Sequence, residues 1–353
     1  MTFITGLATE VPARSFTQRE CWEALQRADR PELTPRTRAV LQGILNHDNG
    51  IERRSLALDN LDESFVLDPD TLHRRFATHA PALASRAAAQ AAARAGLEAR
   101  AIDALVVSTC TGYLCPGLTS YVAEALGTRA DALHLDLVGQ GCGAALPNLR
   151  TAHALLASGG CENVLSICVE VCSAAFYLDD DLGVLVSACI FGDGAAAAVL
   201  SAKPSPVNGR TVRWRASASL TNPSQRDALR FEQRGGMLRN ILTLPVPGLA
   251  ARHAREVMKS LLAEEGVGAD RIESWVLHAG GRKVLEELRR ELALEPSQTG
   301  TSAAMLRQYG NLSSPFVLFV LQAALAEKAP PGLWWMSSFG AGFSCHGALL
   351  EVA

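Results

Sequence analysis

Alanine-rich stretches and short β-branched runs take turns along this chain. Ala82–Ala92 (ALASRAAAQAA) is followed by Ala104–Ser108 (ALVVS), and Thr119–Leu126 by Leu133–Val138. Asn148–Ala157 is then followed by Val164–Val169, and Glu256–Glu265 by Ser274–Leu277. Alanine is the strongest helix former, and short β-branched runs suit strands buried on both faces. The alternation therefore predicts an α/β fold in which helices cover buried sheets. The polar stretch Ala202–Arg210 (AKPSPVNGR) is the best boundary near the middle, and no repeat of short period is visible.

Composition narrows the picture. With 353 residues, 48% hydrophobic and 20% charged, the chain is no disordered protein; it is long enough for two domains or one large duplicated one. A formal charge of −3 excludes a globally basic nucleic-acid binder, so no nucleic-acid partner is expected. Any anionic ligand must instead meet local arginines. The most apolar stretch, Pro315–Leu325 (PFVLFVLQAAL), is too short to span a bilayer and reads as a buried helix. No signal-peptide pattern is visible at Met1–Leu7, so a cytoplasmic protein without membrane partners is expected. Nine cysteines, without a C-x-x-C pair, indicate neither a disulfide framework nor a metal site.

Three segments carry candidate chemistry. Cys142 lies in Leu135-Asp-Leu-Val-Gly-Gln-Gly-Cys-Gly-Ala-Ala-Leu-Pro, where a strand runs into three glycines and then a helix. A sulfur on such a turn sits at a helix N-terminus, where the dipole and free N–H groups favour a thiolate. A buried structural cysteine in a glycine-rich turn is the alternative. His278 ends the strand of Ser274-Trp-Val-Leu-His-Ala-Gly-Gly, and active-site residues of α/β sheets gather at the carboxyl ends of strands. Alone, it reads better as a histidine satisfied by backbone in a loop. Asn311, in Tyr309-Gly-Asn-Leu-Ser-Ser-Pro, either caps the apolar helix that follows, as Ser313 also can, or donates its amide to a developing oxyanion.

Taken together, these segments resemble one family, the chalcone-synthase-like type III polyketide synthases of the thiolase superfamily. The resemblance rests on Gly139-Gln-Gly-Cys-Gly, Ile190-Phe-Gly-Asp-Gly-Ala-Ala-Ala-Ala, His278-Ala-Gly-Gly, Tyr309-Gly-Asn-Leu-Ser-Ser and Phe339-Gly-Ala-Gly-Phe, in that order. It covers roughly Ala104 to Leu350 and is weaker over the first hundred residues. The family's His-Pro-Gly-Gly and Gly-Pro-Gly here have alanine for proline, at Ala279 and Ala341.

The resemblance implies a thiolase-like fold: two similar halves with five-stranded mixed sheets layered between helices as αβαβα. The halves would be 1–203, carrying Cys142, and 204–353, carrying His278 and Asn311. It implies an acyltransferase that loads an acyl-CoA starter on Cys142 and extends it by decarboxylative condensation with malonyl-CoA. Cyclisation to a pyrone, resorcinol or related aromatic follows. A His278 imidazolium would lower the Cys142 pKa, and His278 with Asn311 would hold the enolate oxygen. The CoA thioesters are substrates, and no cofactor is needed.

Further positions follow from the same resemblance. Cys110, Cys115, Cys172, Ala175, Phe191 and Ser313 would line the starter cavity, with Phe231 and Asn240 in a poorly aligned stretch. Small residues at Cys110, Cys172 and Ala175 would leave an apolar cavity suited to an alkyl starter. Arg53 and Arg54 would meet CoA phosphates, and Gly280, Gly281, Gly340 and Gly342 would make room for the pantetheine arm. A homodimer is implied, with the Cys115–Pro116 loop near the partner's cavity. A ketoacyl-carrier-protein synthase III relative is the alternative, and a Cys-His-Asn hydrolase is a remote one.

Overall fold

The computed structural model describes residues 1–28, 30 and 33–353, and the predicted alternation of helix and strand is present in it. The first half opens with β1 (Thr2–Glu10), β2 (Ser15–Thr17), α1 (Gln18–Arg27), α2 (Pro35–Asn46), β3 (Arg53–Ser55) and α3 (Pro69–Arg94). It continues through β4 (Ala104–Ser108), α4 (Leu118–Leu126), β5 (Leu133–Leu137), α5 (Ala145–Ala157), β6 (Asn163–Glu170), α6 (Leu182–Ile190) and β7 (Gly194–Ser201). The second half begins with β8 (Val212–Thr221), β9 (Leu229–Arg234), β10 (Met237–Leu242), α7 (Val246–Glu264), β11 (Ile272–Leu277) and α8 (Arg282–Leu292). It ends with α9 (Gly300–Tyr309), α10 (Phe316–Ala326), β12 (Gly332–Gly340) and β13 (Ser344–Val352).

Among the described residues, nine strands form one sheet in the order β11-β12-β13-β8-β1-β7-β6-β4-β5. The order is one plan used twice. In the first half β1–β7 and β7–β6 are antiparallel and β6–β4 parallel. In the second, β8–β13 and β13–β12 are antiparallel and β12–β11 parallel. The halves meet where Thr2–Ile4 of β1 pairs with Val212–Trp214 of β8. The expected two five-stranded sheets are thus corrected to five strands and four, because the second half has no counterpart of β5. They are also continuous, because β1 and β8 each keep an edge free for the other.

The five expected layers follow from side-chain alternation along these strands. In β4, β6 and β7 the odd-numbered residues Leu105, Val107, Leu165, Ile167, Ala195 and Ala197 pack on α3 and α4. Their even neighbours, such as Val106, Cys168 and Ala198, face α5 and α10. The second half repeats this: Trp335 and Leu349 meet α7 and α8, while Trp334 and Ala348 turn to the central layer. Helix α10 lies between the two sheets, so Phe316–Leu321 are all buried and no polar face is needed. No helix among the described residues is long and apolar enough to cross a membrane.

The outer layer depends on small residues. Alanines 84, 87, 88 and 91 of α3 are buried in the same cluster as Ala195 and Ala197. Where α3 crosses β1, a Cβ on Gly6 would lie 2.1 Å from the Ala91 carbonyl oxygen. Gly6→Ala must therefore displace helix backbone and should cost about 1–3 kcal/mol. Gly43, in exposed α2 with open space around it, provides the opposite sign: Gly43→Ala should gain roughly 0.5–1 kcal/mol. Thermal melts of both variants check the pair, and equal melting temperatures would refute the close approach at Gly6.

Candidate active site

Strand β5 leads into a single 3-10 turn, Gly141–Gly143, before α5 begins at Ala145. Gly139 and Gly141 hold φ angles of 82° and 55°, where a side chain would be strained. Cys142 sits in this turn and is buried. Gly340, at the end of β12, presses on it: a Cβ there would lie 2.5 Å from the Gly143 nitrogen and 2.3 Å from the Gln140 oxygen. Gly340 therefore makes room for the nucleophile turn and leaves none for a pantetheine arm. That expectation is corrected.

His278 follows β11, its backbone nitrogen donating to Ser337 O at 2.9 Å. Its ring stands edge-on to Phe316 and Phe339, with centroids 5.4 and 4.9 Å away. It is 1% exposed, and neither ring nitrogen has a hydrogen-bond partner. The FGD and YGN segments are bonded to each other, since Asn311 N donates to Ile190 O at 2.8 Å and Gly192 N to Asn311 O at 3.0 Å. Asn311 Nδ2 donates to Gly280 O at 3.2 Å, and Oδ1 accepts from Ser313 N at 2.8 Å. Ser313, strained at φ 60°, places its hydroxyl 3.3 Å from Cys142 Sγ. Cys142, Ser313, Asn311 and the loop after His278 thus form one connected chain across both halves.

Two buried carboxyls lie behind this chain, and sequence reasoning missed the role of each. Glu170, at the carboxyl end of β6, is fully buried. It accepts from Ser314 Oγ (2.6 Å), Thr111 Oγ1 (2.9 Å), Cys110 N (3.0 Å), Cys110 Sγ (3.3 Å), Thr109 Oγ1 (3.3 Å) and Ser313 Oγ (3.4 Å). The signal was an acidic residue ending an apolar strand, where a carboxyl needs partners to be tolerated. Asp193, of the FGDG segment, accepts from Ala57 N, Ser173 N and Ser173 Oγ at 2.6–2.8 Å. It fixes the turn Cys172–Ala175 in place.

Burial governs the electrostatics. It pushes the Cys142 thiol up to about 12, opposed by the Ser313 hydroxyl. It pushes the His278 imidazole down to about 3. Desolvation thus disfavours either charge formed alone, and a thiolate–imidazolium pair must form both together. Burial also raises Glu170 above the usual carboxyl range, against its hydroxyl and amide donors.

A chamber of about 30 Å³ surrounds Cys142, with Cys172, Ala175, Phe191, Phe231 and Asn240 in its wall. Through Cys110, Gly141 and Leu229–Phe231 it adjoins an open cavity of about 700 Å³, which Gly342 also lines. The chamber is not purely apolar, because the Cys110 thiol points at Glu170. Gly280 packs under Phe339, where a Cβ would lie 2.9 Å from the ring, and Gly281 is the N-cap of α8. Cys115 is exposed and lines neither cavity. Arg53 is exposed on β3, but Arg54 is buried, its guanidinium engaged by Gln18, Cys21 and the Ala188 and Phe191 carbonyls. Four of the five Arg54 N–H donors are thus used inside the protein and the side chain is buried away from solvent, which corrects its expected role at a CoA phosphate.

Known proteins share this arrangement. Residues 67–221 match the family described as FAE1/type III polyketide synthase-like protein, and residues 223–349 the chalcone and stilbene synthases, C-terminal domain. The chain is 30% identical to the 3,5-dihydroxyphenylacetyl-CoA synthase of Streptomyces toyocaensis, over 99% of this chain and 89% of that protein. It is also 30% identical to the 1,3,6,8-tetrahydroxynaphthalene synthase of Streptomyces peucetius subsp. caesius, over 99% and 93%. The crystal structure of PKS-I from the brown alga Ectocarpus siliculosus superposes with a TM-score of 0.89 at 28% identity, covering 99% of this chain and 98% of that one. The tetrahydroxynaphthalene synthase of Streptomyces coelicolor A3(2) gives 0.84 at 25%, covering 99% of each. Two adjoining family matches, near-complete coverage at 30% identity and one shared fold establish that this chain belongs to the type III polyketide synthases, a family of condensing acyltransferases.

Proposed function

We propose that this synthase carries its acyl chain on Cys142 and that His278 and Asn311 stabilise the enolate that extends it. The observation that carries the reading is His278: two buried ring nitrogens without partners, joined through Gly280, Asn311 and Ser313 to a buried thiol. A buried polar group is costly without a partner, so a substrate that supplies oxygens there is favoured. Transfer of the Cys142 proton to His278 creates both charges together, each offsetting the other's desolvation. The thiolate attacks an acyl-CoA carbonyl, and CoA departs as a thiol with the imidazolium proton. Malonyl-CoA then loses CO2, leaving its electron pair as an enolate. Hydrogen bonds from His278 and the Asn311 amide meet the new negative charge. The enolate carbon attacks the thioester and frees Cys142 sulfur. Repetition and ring closure give a pyrone, resorcinol or related aromatic. Every step is acyl transfer or decarboxylation, so CoA thioesters suffice as substrates and the reading calls for no cofactor.

The same reading takes 1–203 and 204–353 as the two halves and a homodimer as the working form. Support for the dimer comes from β5, which among the described residues pairs only with β4, and from Leu133, an exposed large apolar residue on that strand. An unpaired apolar edge of this kind favours association with a second copy.

Incubation with malonyl-CoA and a panel of acyl-CoA esters, read by mass, tests the activity. Cys142→Ala should show no starter adduct by intact mass while still decarboxylating malonyl-CoA; an adduct on that variant would disprove the assignment. Asn311→Ala should lower condensation by about 10²–10³ with loading less affected. Because an imidazolium at His278 adds a positive charge to the Ser313 hydroxyl in offsetting burial of the thiolate, His278→Gln should raise the pH midpoint for alkylation of Cys142, followed by peptide mapping. An unshifted midpoint would remove His278 from the loading step. Light scattering at micromolar concentration should give twice the chain mass, and a monomer would rule the dimer out.

A further inference from the structure

One wall of the nucleophile chamber belongs to neither half's sheet. The β9–β10 hairpin bonds to no strand of the nine-stranded sheet. It reverses through Gly235 and Gly236, both left-handed at φ 59° and 79°, as a two-residue primed turn requires. Leu229, Arg230 and Phe231 of β9 line the small chamber and the large cavity alike. Strand β9 is therefore the partition between them.

One buried guanidinium gives the partition its closest fastening, beside the exposed Arg234 of β9 at 3.8 Å from Asp179. Arg239 of β10 is 9% exposed and lines neither cavity. Its Nε lies 2.6 Å from Asp179, a terminal nitrogen 3.4 Å from Asp181, and the other 3.2 Å from Glu232. Glu232 stands opposite it on β9. Asp179 and Asp181 belong to the stretch joining the turn Cys172–Ala175 to α6, and Asp181 caps that helix through Gly183 N and Val184 N. Cys172 and Ala175 from that turn, with Phe191 after α6, form the facing wall of the chamber. Backbone contact reinforces the junction, since a Cβ on Gly183 would lie 2.2 Å from Leu242 O.

We propose that Arg239 is a positioning residue that sets product length. By tying the hairpin to the facing wall, it fixes how far a chain growing on Cys142 passes the β9 partition into the large cavity. Without the buried cation, Asp179 and Asp181 repel each other with only the exposed Arg234, 3.8 Å from Asp179, left against them, while Glu232 keeps Arg230. The hairpin has no sheet hydrogen bonds to resist that repulsion, so the partition shifts while Cys142, His278 and Asn311 stay in place. The inference rests on the reading of Cys142 as the acyl carrier.

The test compares wild type, Arg239→Met, Arg239→Lys and Asp179→Asn with malonyl-CoA and the acyl-CoA panel. Products are resolved by mass, and malonyl-CoA decarboxylation without starter is measured in parallel. In Arg239→Met the ratio of longer to shorter products should change by about threefold or more, with decarboxylation held within about twofold. Arg239→Lys should restore part of the ratio. An unchanged ratio at full activity overturns the proposal, as does a ratio that moves only when decarboxylation and melting temperature fall together. Should Arg239→Met fail to fold, Asp179→Asn decides by the same ratio, because it removes the facing wall's carboxylate nearest the guanidinium. A wild type that forms no condensation product refutes the proposed function instead.

Discussion

The contact between Gly143 and Gly340 is the constraint on which the site depends. The nucleophile turn comes from the first half and the end of β12 from the second, and their backbones touch with no Cβ between them. A Cβ on Gly340 would lie 2.3 Å from Gln140 O and 2.5 Å from Gly143 N, so a side chain there would push the turn and the end of β12 apart. Cys142 would then lose the Ser313 hydroxyl, which reaches it at 3.3 Å. Close packing in protein interiors passes such a displacement on without absorbing it. The continuous β1–β8 pairing holds the halves in the relation that this contact needs.

Behind the contact, polar groups are used sparingly and each is tied down. Glu170 gathers hydroxyls, a thiol and an amide so that Ser313 faces the nucleophile in one orientation. Asp193 fixes the turn that carries Cys172 and Ala175. His278 differs from them in that both of its buried ring nitrogens are without partners, and a buried polar group in that state is costly until something pairs with it.

Specificity and chemistry reside in different parts of the molecule. The proposed reacting groups Cys142 and His278 lie just past strand ends, and Asn311 in the loop before α10. The walls that shape the chamber are a detached hairpin and a turn, joined by ion pairs at Arg239. Changes in the walls therefore leave the reacting groups undisturbed.

Much of the fold was legible in the sequence because its signals are local. Alanine-rich helices, β-branched strands and the all-apolar α10 announce themselves by propensity and period. The order of Cys142, His278 and Asn311, with the glycines beside them, was enough to point to one family. Other features depend on which residues the folded chain brings together. Arg54 read as a phosphate ligand, but packing buries its guanidinium among carbonyls contributed by α6 and Phe191. The loss of a fifth strand from the second half and the joining of the sheets at β1–β8 were not visible as residue patterns. Glu170 lay in plain sight after an apolar strand, yet its donors come from positions 109–111 and 313–314. Local sequence determines which elements form; contacts between residues far apart in the chain decide which side chains are buried, charged or within reach of one another.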